Sequence, residues 1–171
     1  MKDIVLLYED CCIYEIVILN YFLRATDSDL VFCALDKAPI RATEGYSICP
    51  DAALKDIDLS EVRSFILPGG DISHIDRSIV YDCLKTLHRA DVLIAGICAG
   101  VDVLEKAGLL QNIRSTRLEK YDCILDGNVL TARANAYVDF AIEAAKALHL
   151  FEDEADLQET VSFWKEFKRV P

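Results

Sequence analysis

The feature that most constrains this fold is the alternation of short, continuous apolar runs with segments in which apolar residues recur at helical spacing. The continuous runs predict buried β-strands, because a strand covered on both faces carries apolar residues at every position. Strands are expected at residues 4–8, 30–35, 64–67 and 92–97, and helices at residues 13–23, 75–87, 99–107 and 134–148. Such alternation favours an α/β fold with a largely parallel sheet between two layers of helices.

Two further elements are expected near the end of the chain. Asp126-Gly127 lies between two short apolar runs, and this dipeptide is a strong signal for a hairpin turn. Residues 153–168 predict a C-terminal amphipathic helix that covers the core or, alternatively, anchors a dimer or partner; its apolar side carries Leu157, Val161, Trp164 and Phe167. Because no linker or repeat interrupts the chain, residues 1–171 are expected to form a single domain.

Composition and charge narrow the possible partners. The chain carries 18 Lys and Arg against 29 Asp and Glu, a formal net charge of −11, which repels phosphate backbones. The longest apolar runs are far shorter than a membrane span, and the N-terminal run is interrupted by Glu9 and Asp10 too early for a signal peptide. We therefore expect a cytoplasmic protein that binds neither nucleic acid nor membrane.

The cysteine and histidine pattern argues against a metal site. Seven cysteines without an export signal indicate reduced thiols rather than a disulfide framework. The chain has no Cys-x-x-Cys pair, and none of its three histidines stands at ligand spacing to a cysteine. No metal and no cofactor are therefore expected.

The most informative motif is the sequence Gly-Ile-Cys-Ala-Gly at residues 96–100, at the end of a predicted strand and the start of a predicted helix. This is the cysteine form of a nucleophile elbow, in which small neighbours allow a sharp, strained turn. The helix that follows points its N-terminal amides at the sulfur, so we expect a lowered pKa and a thiolate at Cys98. The alternative is a buried cysteine at a glycine-flanked strand end.

Two other features are expected at the same edge of the sheet. Gly69 and Gly70 follow another predicted strand, and their amides could approach a ligand closely enough to form an oxyanion hole, although a plain turn has the same composition. Glu15 lies among the apolar residues of segment 13–18, where a carboxyl group must be solvated, paired or neutral. An exposed helix residue is the alternative for Glu15.

Five motifs in a fixed order carry a resemblance to a known family. They are Val5-Leu6-Leu7 followed by Glu15, Ile48-Cys49-Pro50-Asp51-Ala52, Ile66-Leu67-Pro68-Gly69-Gly70, Gly96-Ile97-Cys98-Ala99-Gly100, and Asp126-Gly127-Asn128-Val129-Leu130-Thr131-Ala132-Arg133. With these motifs the chain resembles the ThiJ/PfpI superfamily over nearly its whole length. The Cys-Pro-Asp-Ala and Cys-Ala-Gly forms are most similar to the branch of the Parkinson disease protein seven.

The resemblance implies a three-layer, flavodoxin-like α/β sandwich that is usually a homodimer. It implies that Cys98 is the reactive cysteine, that Glu15 is a partly buried, protonated carboxyl group beside it, and that Gly69, Gly70 and Ala99 supply backbone amides. Family activities include glyoxalase and deglycase action on 2-oxoaldehydes, hydrolysis, isocyanide hydration, redox sensing and chaperone-like protection. The resemblance therefore implies a site more closely than it implies a reaction.

The chain departs from the family pattern at three places. Ala99 stands where family hydrolases often carry a histidine directly after the cysteine, and segment 111–121 lacks the histidine often found there. A Cys-His pair and protease activity are therefore not expected. The usual late Gly-Pro is replaced by Ala134-Asn135.

Two classes of function stay open. In the first, the protein is a glyoxalase/deglycase or hydrolase/hydratase, in which a Cys98 thiolate attacks a small electrophile such as a 2-oxoaldehyde and Glu15 shuttles a proton. In the second, it is a redox or stress sensor in which Cys98 is oxidised and Cys11 or Cys12 is a possible resolving thiol, although two unreactive thiols are the simpler reading. An amidotransferase glutaminase domain normally carries a late His-x-Glu pair, and the residues after His149 have the wrong spacing.

Overall fold

A central β-sheet organises the computed structural model, which describes residues 1–169. In chain order the strands are β1 (Lys2–Leu6), β2 (Asp29–Ala34), β3 (Ile40–Arg41), β4 (Ser47–Ile48), β5 (Ala52–Ala53), β6 (Val62–Leu67), β7 (Leu93–Ile97), β8 (Cys123–Asp126) and β9 (Val129–Ala132). The helices are α1 (Val17–Ala25), α2 (Ser78–Arg89), α3 (Gly100–Lys106), α4 (Tyr137–Ala147) and α5 (Glu154–Trp164). The domain expected over 1–171 ends at residues 170–171, which lie outside the described residues.

The main sheet has seven strands in the order β5-β2-β1-β6-β7-β9-β8. Every neighbouring pair is parallel except β8 and β9, which form the antiparallel hairpin predicted from Asp126-Gly127. Strands β3 and β4 form a separate antiparallel pair. The mostly parallel sheet confirms the predicted fold class.

Helices cover the sheet and complete the layered fold. Helix α1 packs against α4, and α2 packs against α3; α2, α3 and α4 all contact β7. The central strands β1 and β7 are buried almost throughout, as their continuous apolar sequences predicted. Phe65 of β6 and Phe140 of α4 are among the largest fully buried side chains of this core. The three-layer α/β sandwich is therefore confirmed.

The helix boundaries differ from the sequence prediction in ways that matter for the site. The segment expected to be helical from residue 13 becomes helical only at Val17, so Glu15 lies in the preceding turn. The reason is that Cys11 pairs with Gly70 in an isolated antiparallel bridge, which keeps the chain extended just before that turn. Within residues 1–169, no helix combines the length and apolar character that crossing a bilayer requires.

The C-terminal helix is shorter than the predicted 153–168. Helix α5 begins after Asp153, whose side chain caps it by accepting a hydrogen bond from the Asp156 amide at 2.9 Å, and it ends at Trp164. Trp164 packs against the core together with Leu157 and Val161. Phe167 lies beyond the helix end and is 89% exposed, so its predicted place on the apolar side of the helix is wrong.

Candidate active site

The candidate nucleophile lies at the sharp turn between β7 and α3. Cys98 has a φ of +56°, a left-handed conformation that is strained for a residue with a side chain. Its amide donates a hydrogen bond to the Ala132 carbonyl at 2.9 Å, and its carbonyl accepts from the Val101 amide at 3.1 Å. A Cβ on Gly100 would lie 2.5 Å from the Leu67 carbonyl oxygen, so the residue after Ala99 must be glycine. The predicted cysteine elbow is confirmed as a strand–turn–helix structure.

Gly69 brings the thiol and the carboxyl group together. A Cβ built on Gly69 would lie 2.7 Å from Cys98 Cβ, 2.9 Å from Cys98 Sγ and 2.9 Å from Glu15 Oε2. The sulfur and the carboxylate therefore both border the space that a side chain at this position would fill. Gly70 is constrained differently, since its φ is +127° and a Cβ there would lie 2.2 Å from the Asp10 carbonyl oxygen. The turn predicted from these two glycines is thus an integral part of the site.

Glu15 is buried at the centre of this arrangement, with only 1% of its surface exposed. Its Oε2 accepts a hydrogen bond from the Gly69 amide at 2.6 Å, whereas Oε1 is buried without a hydrogen-bond partner. Burial raises the pKa of the Glu15 carboxyl group; the hydrogen bond from Gly69 opposes that increase, and the nearby Cys98 and Tyr14 side chains act in the same direction as Gly69. The Gly69 amide is committed to Glu15, which leaves Gly70 and Ala99 as the candidates for binding a substrate oxygen.

The sulfur itself departs from the sequence expectation. Burial raises the pKa of the Cys98 thiol to about 11, the Glu15 carboxylate adds to the increase, and the hydrogen bond from the Ala99 amide opposes it. The predicted lowering by helix amides is therefore wrong. Helix α3 is only seven residues long, and its end effect is outweighed by burial and by a neighbouring carboxylate. The resting group at neutral pH is therefore a thiol rather than a thiolate.

Hydrogen bonds hold the loop that precedes Glu15 against the Gly69–Gly70 turn. The Tyr8 hydroxyl donates to the Pro68 carbonyl at 2.8 Å, and the Cys12 amide donates to the Gly69 carbonyl at 2.8 Å. Cys11 is fully buried in this loop, whereas Cys12 is partly exposed. The negative charge of a Cys12 thiolate would itself raise the pKa of Cys98. Of the two possible resolving thiols, Cys12 is therefore the accessible one.

Cys98 opens into a pocket of about 390 Å³, which we call the Cys98 pocket. Its other lining residues are Val101, Thr116, Arg117, Ala132, Arg133 and Ala134. All three histidines lie within residues 1–169, and none of them lines the described pocket. His74 instead lies beside two carboxylates, its Nε2 being 3.9 Å from Asp10 and 3.8 Å from Asp71. A histidine base for Cys98 therefore has no support in this lining.

Sequence reasoning assigned no role to the two arginines of the pocket. Arg133 directly follows β9, which lies beside β7, so knowledge of the strand order would have placed it next to Cys98. Arg117 lies in the loop between α3 and β8, where no periodic pattern marks it. Only its contacts in the folded chain reveal it.

A second cavity lies between α1 and α5 and shares no lining residue with the Cys98 pocket. This aromatic cavity has a volume of about 360 Å³ and is lined by Tyr21, Phe22, Ala25, Thr26, Leu150, Phe151, Asp156, Glu159, Thr160, Phe163 and Trp164. It contains no cysteine. Over residues 1–169, no group of three or more His, Cys, Asp or Glu side chains is arranged to hold a metal ion.

The fold and the site together define a class of α/β proteins in which a cysteine at a strand–helix elbow faces a buried carboxyl group. A model of the DJ-1/PfpI family matches residues 1–147 of this chain. The chain belongs to the DJ-1/PfpI family.

Individual relatives support this membership. The chain is 28% identical over 104 residues to the glutathione-independent glyoxalase DJR-1.2 of Caenorhabditis elegans, a match that covers 60% of this chain and 56% of the nematode protein. It is 30% identical over 156 residues to the uncharacterized protease YoaZ of Bacillus subtilis (strain 168), covering 77% and 72% of the two chains. The crystal structure of a thiJ/pfpI family protein from Bacillus anthracis superposes with a TM-score of 0.90 at 22% identity, covering 98% of this chain and 91% of that one, which shows the shared fold.

Proposed function

We propose that this protein is an enzyme that converts 2-oxoaldehydes into 2-hydroxy acids, with Cys98 as the nucleophile and Glu15 as the proton carrier. The observation that carries the proposal is the approach of Cys98 Sγ and Glu15 Oε2 to the same Cβ position at Gly69, beside an open pocket. Membership of the DJ-1/PfpI family supports cysteine-dependent activity in general. The glyoxalase among the relatives supports aldehydes as the substrate class.

The first step needs a proton acceptor because the thiol is not ionised at neutral pH. Glu15 takes the thiol proton while the sulfur attacks the aldehyde carbon, so a C–S bond forms and the carbonyl π-electrons move to oxygen. The oxygen then receives the proton from Glu15, which gives a hemithioacetal on Cys98. A carboxyl group whose pKa is raised by burial is better suited to accepting and returning a proton than an ordinary glutamate is.

The second step moves hydrogen within the adduct. Glu15 removes the proton from the former aldehyde carbon, and the electron pair forms an enediol with the adjacent ketone, whose oxygen is protonated. Return of a proton to the ketone carbon, with loss of the hydroxyl proton from the former aldehyde carbon, gives a thioester. Water hydrolyses the thioester and releases the 2-hydroxy acid and the free thiol. One water is consumed and no external oxidant or reductant is needed.

The decisive test is turnover of methylglyoxal, followed as loss of the aldehyde and formation of lactate. We expect Cys98→Ser to reduce kcat/KM at least roughly 1,000-fold, and Glu15→Gln to reduce it roughly 100-fold, because each removes a group that acts in the transition state. Cys49→Ser is the matched control, since Cys49 is exposed and does not line the Cys98 pocket. Turnover that survives Cys98→Ser, or no turnover by the wild-type protein, would overturn the proposal.

A redox sensor is the second candidate, and the position of Cys12 favours it. Cys12 is hydrogen-bonded to the Gly69 turn, which touches Cys98, and it is partly exposed. Peroxide would convert the Cys98 thiolate to a sulfenic acid with release of hydroxide, and the Cys12 thiol would then form a disulfide with loss of water. Mass spectrometry under non-reducing conditions should show a Cys98–Cys12 link that is absent in Cys12→Ser and retained in Cys11→Ser. Sulfinate at Cys98 with both other thiols free would contradict this candidate.

The proposed state of assembly is a homodimer, as is usual for proteins that the chain resembles. Sedimentation over a dilution series would measure the association directly. Trp164 fluorescence recorded on the same samples would show whether α5 lies at the interface: an unchanged spectrum across a measured dissociation would exclude that role.

A further inference from the structure

We propose that the Cys98 pocket selects electrophiles that carry a carboxylate group, and that Arg117 and Arg133 bind this group. The inference deepens the proposed function, on which it rests for the identity of the reacting carbon. Its starting observation is that the charged side chains lining the described pocket are two arginines. A pocket with this lining attracts anions in a protein whose net charge of −11 otherwise repels them.

Arg133 is placed close to the sulfur by the backbone. The residue before it, Ala132, accepts the hydrogen bond from the Cys98 amide at 2.9 Å, so Arg133 leaves the sheet directly beside the elbow. Its own amide donates to the Asp122 carbonyl at 2.8 Å, and its Nε lies 3.4 Å from Asp122 Oδ1. The side chain is 54% exposed, so a ligand can reach the guanidinium.

Arg117 enters the pocket from the loop between α3 and β8. Its guanidinium forms an ion pair with Asp102 of α3, and its Nε lies 3.6 Å from a carboxylate oxygen of Glu105 on the same helix. Because α3 begins at the elbow, these acids fix Arg117 relative to Cys98. The side chain is 43% exposed, so it too is accessible to a ligand.

The acidic partners position the arginines without using all their donors. A guanidinium has five N–H groups in a planar fork, and one or two ion pairs leave the others free for a ligand carboxylate. Neither Asp102, Glu105 nor Asp122 lines the Cys98 pocket, so the charged side chains that face a substrate there are the two arginines. A pocket of about 390 Å³ is sufficient for a small molecule whose aldehyde reaches the sulfur and whose carboxylate reaches the guanidiniums.

Two alkylating reagents test the anion preference without any turnover. Iodoacetate and iodoacetamide form the same S–CH₂ bond at Cys98 with loss of iodide, but only iodoacetate is charged. We expect the ratio of the iodoacetate rate to the iodoacetamide rate to be about tenfold higher in the wild-type protein than in the double variant Arg117→Gln/Arg133→Gln. The variant loses a charge-assisted hydrogen bond to the reagent's carboxylate. Arg114→Gln is the matched control: Arg114 is also paired with a carboxylate, 3.7 Å from Asp126, but does not line the pocket, so the wild-type ratio is expected.

The same variants are then compared with two substrates. We expect 4,5-dioxopentanoate, a 2-oxoaldehyde with a carboxylate, to have a kcat/KM about tenfold above that of methylglyoxal, and the double variant to lose this preference. An alkylation ratio that is equal in wild type and double variant, or that falls equally in Arg114→Gln, would overturn the inference. If the ratio behaves as expected and neither aldehyde is consumed, the anion site stands and the proposed function fails.

Discussion

The two cavities of this protein are similar in volume, about 390 Å³ at Cys98 and about 360 Å³ at the aromatic cavity, but they are built from different parts of the chain. The Cys98 pocket forms where the chain leaves strands β7 and β9, beside the loop between α3 and β8. The aromatic cavity forms between side chains of α1, α5 and the segment that joins α4 to α5. The Cys98 pocket lies at an edge of the sheet, and the aromatic cavity lies between peripheral helices.

The two cavities differ in how closely their atoms are packed. At the site, the side chains of Cys98 and Glu15 crowd the Gly69 position so closely that an added methyl group would lie within 3 Å of three of their atoms. In the aromatic cavity, Trp164 contacts Tyr21, Phe22 and Phe163 with ring centroids 5.3–6.0 Å apart, which is ordinary edge contact. Small changes at the first region should therefore alter reactivity, and changes at the second should alter stability.

The largest expected effect is the pH dependence of Cys98 alkylation. Because the pKa of the thiol is raised to about 11, the thiolate fraction should increase tenfold per pH unit, and so roughly 1,000-fold from pH 7 to pH 10. The measurement is the iodoacetamide rate at the Cys98 peptide, read by mass spectrometry. An alkylation rate that levels off near pH 8 would contradict the raised pKa and would support the thiolate expected from the sequence.

The next effect in size is that of Gly69→Ala. Its Cβ would displace the sulfur or the Glu15 carboxyl group, so we expect methylglyoxal turnover to fall roughly 100-fold, in line with the sensitivity of catalysis to small misplacements. The matched control is Gly127→Ala in the β8–β9 turn, where an added Cβ has no heavy atom within 4 Å. Gly127 has a φ of +58°, which is unfavourable for alanine, so the control variant should lose stability but not activity. Equal turnover in the two variants would show that the site accommodates a methyl group at Gly69 without any effect on catalysis.

Trp164→Ala probes the other region. Removing a partly buried indole should lower the free energy of unfolding by about 2 kcal/mol. The alkylation rate of Cys98 should not change, because Trp164 does not line that pocket. Chemical denaturation and alkylation measured on the same preparation would check both parts. A change in Cys98 reactivity would mean that the two regions are coupled.

Glu15→Gln should have the smallest effect on the free energy of unfolding, and it should raise this free energy whereas Trp164→Ala lowers it. The folded state raises the pKa of Glu15, so its ionisation disfavours folding increasingly as the pH rises above the ordinary value of 4.5; the penalty is complete above the folded-state pKa and absent below 4.5. Gln lacks this charge. We expect a midpoint of thermal unfolding roughly 2–4 °C higher than wild type at pH 7, with the difference shrinking as the pH falls towards 4.5. A gain of the same size at both pH values would contradict an electrostatic cause.

The sequence predicted those features that local pattern determines. Apolar runs located the long strands, and the glycines around Cys98 indicated the elbow because a tight turn needs small residues. The start of α1 was misplaced because the turn around Glu15 depends on the hydrogen bond from Cys12 to Gly69, which joins distant parts of the chain. Strands β3, β4 and β5 escaped prediction because two residues are too short to show alternation.

The electrostatics of the site could not be predicted locally. The pKa of Cys98 depends on its burial and on the nearness of Glu15, and both are properties of the folded chain. The Ala99 amide at the start of α3 lowers the pKa of Cys98 as the sequence suggested, but burial and Glu15 raise it by more.

The hydrogen bond from the Cys98 amide to the Ala132 carbonyl joins the elbow to β9, whereas the side chain of Arg133, one residue later, is 54% exposed and lines the pocket. Mutagenic libraries restricted to positions 116–117 and 133–134 could therefore explore new specificities without disturbing the machinery that makes or breaks bonds. Substrate selection and bond formation would then be separable by mutagenesis, because they would depend on different segments of the chain.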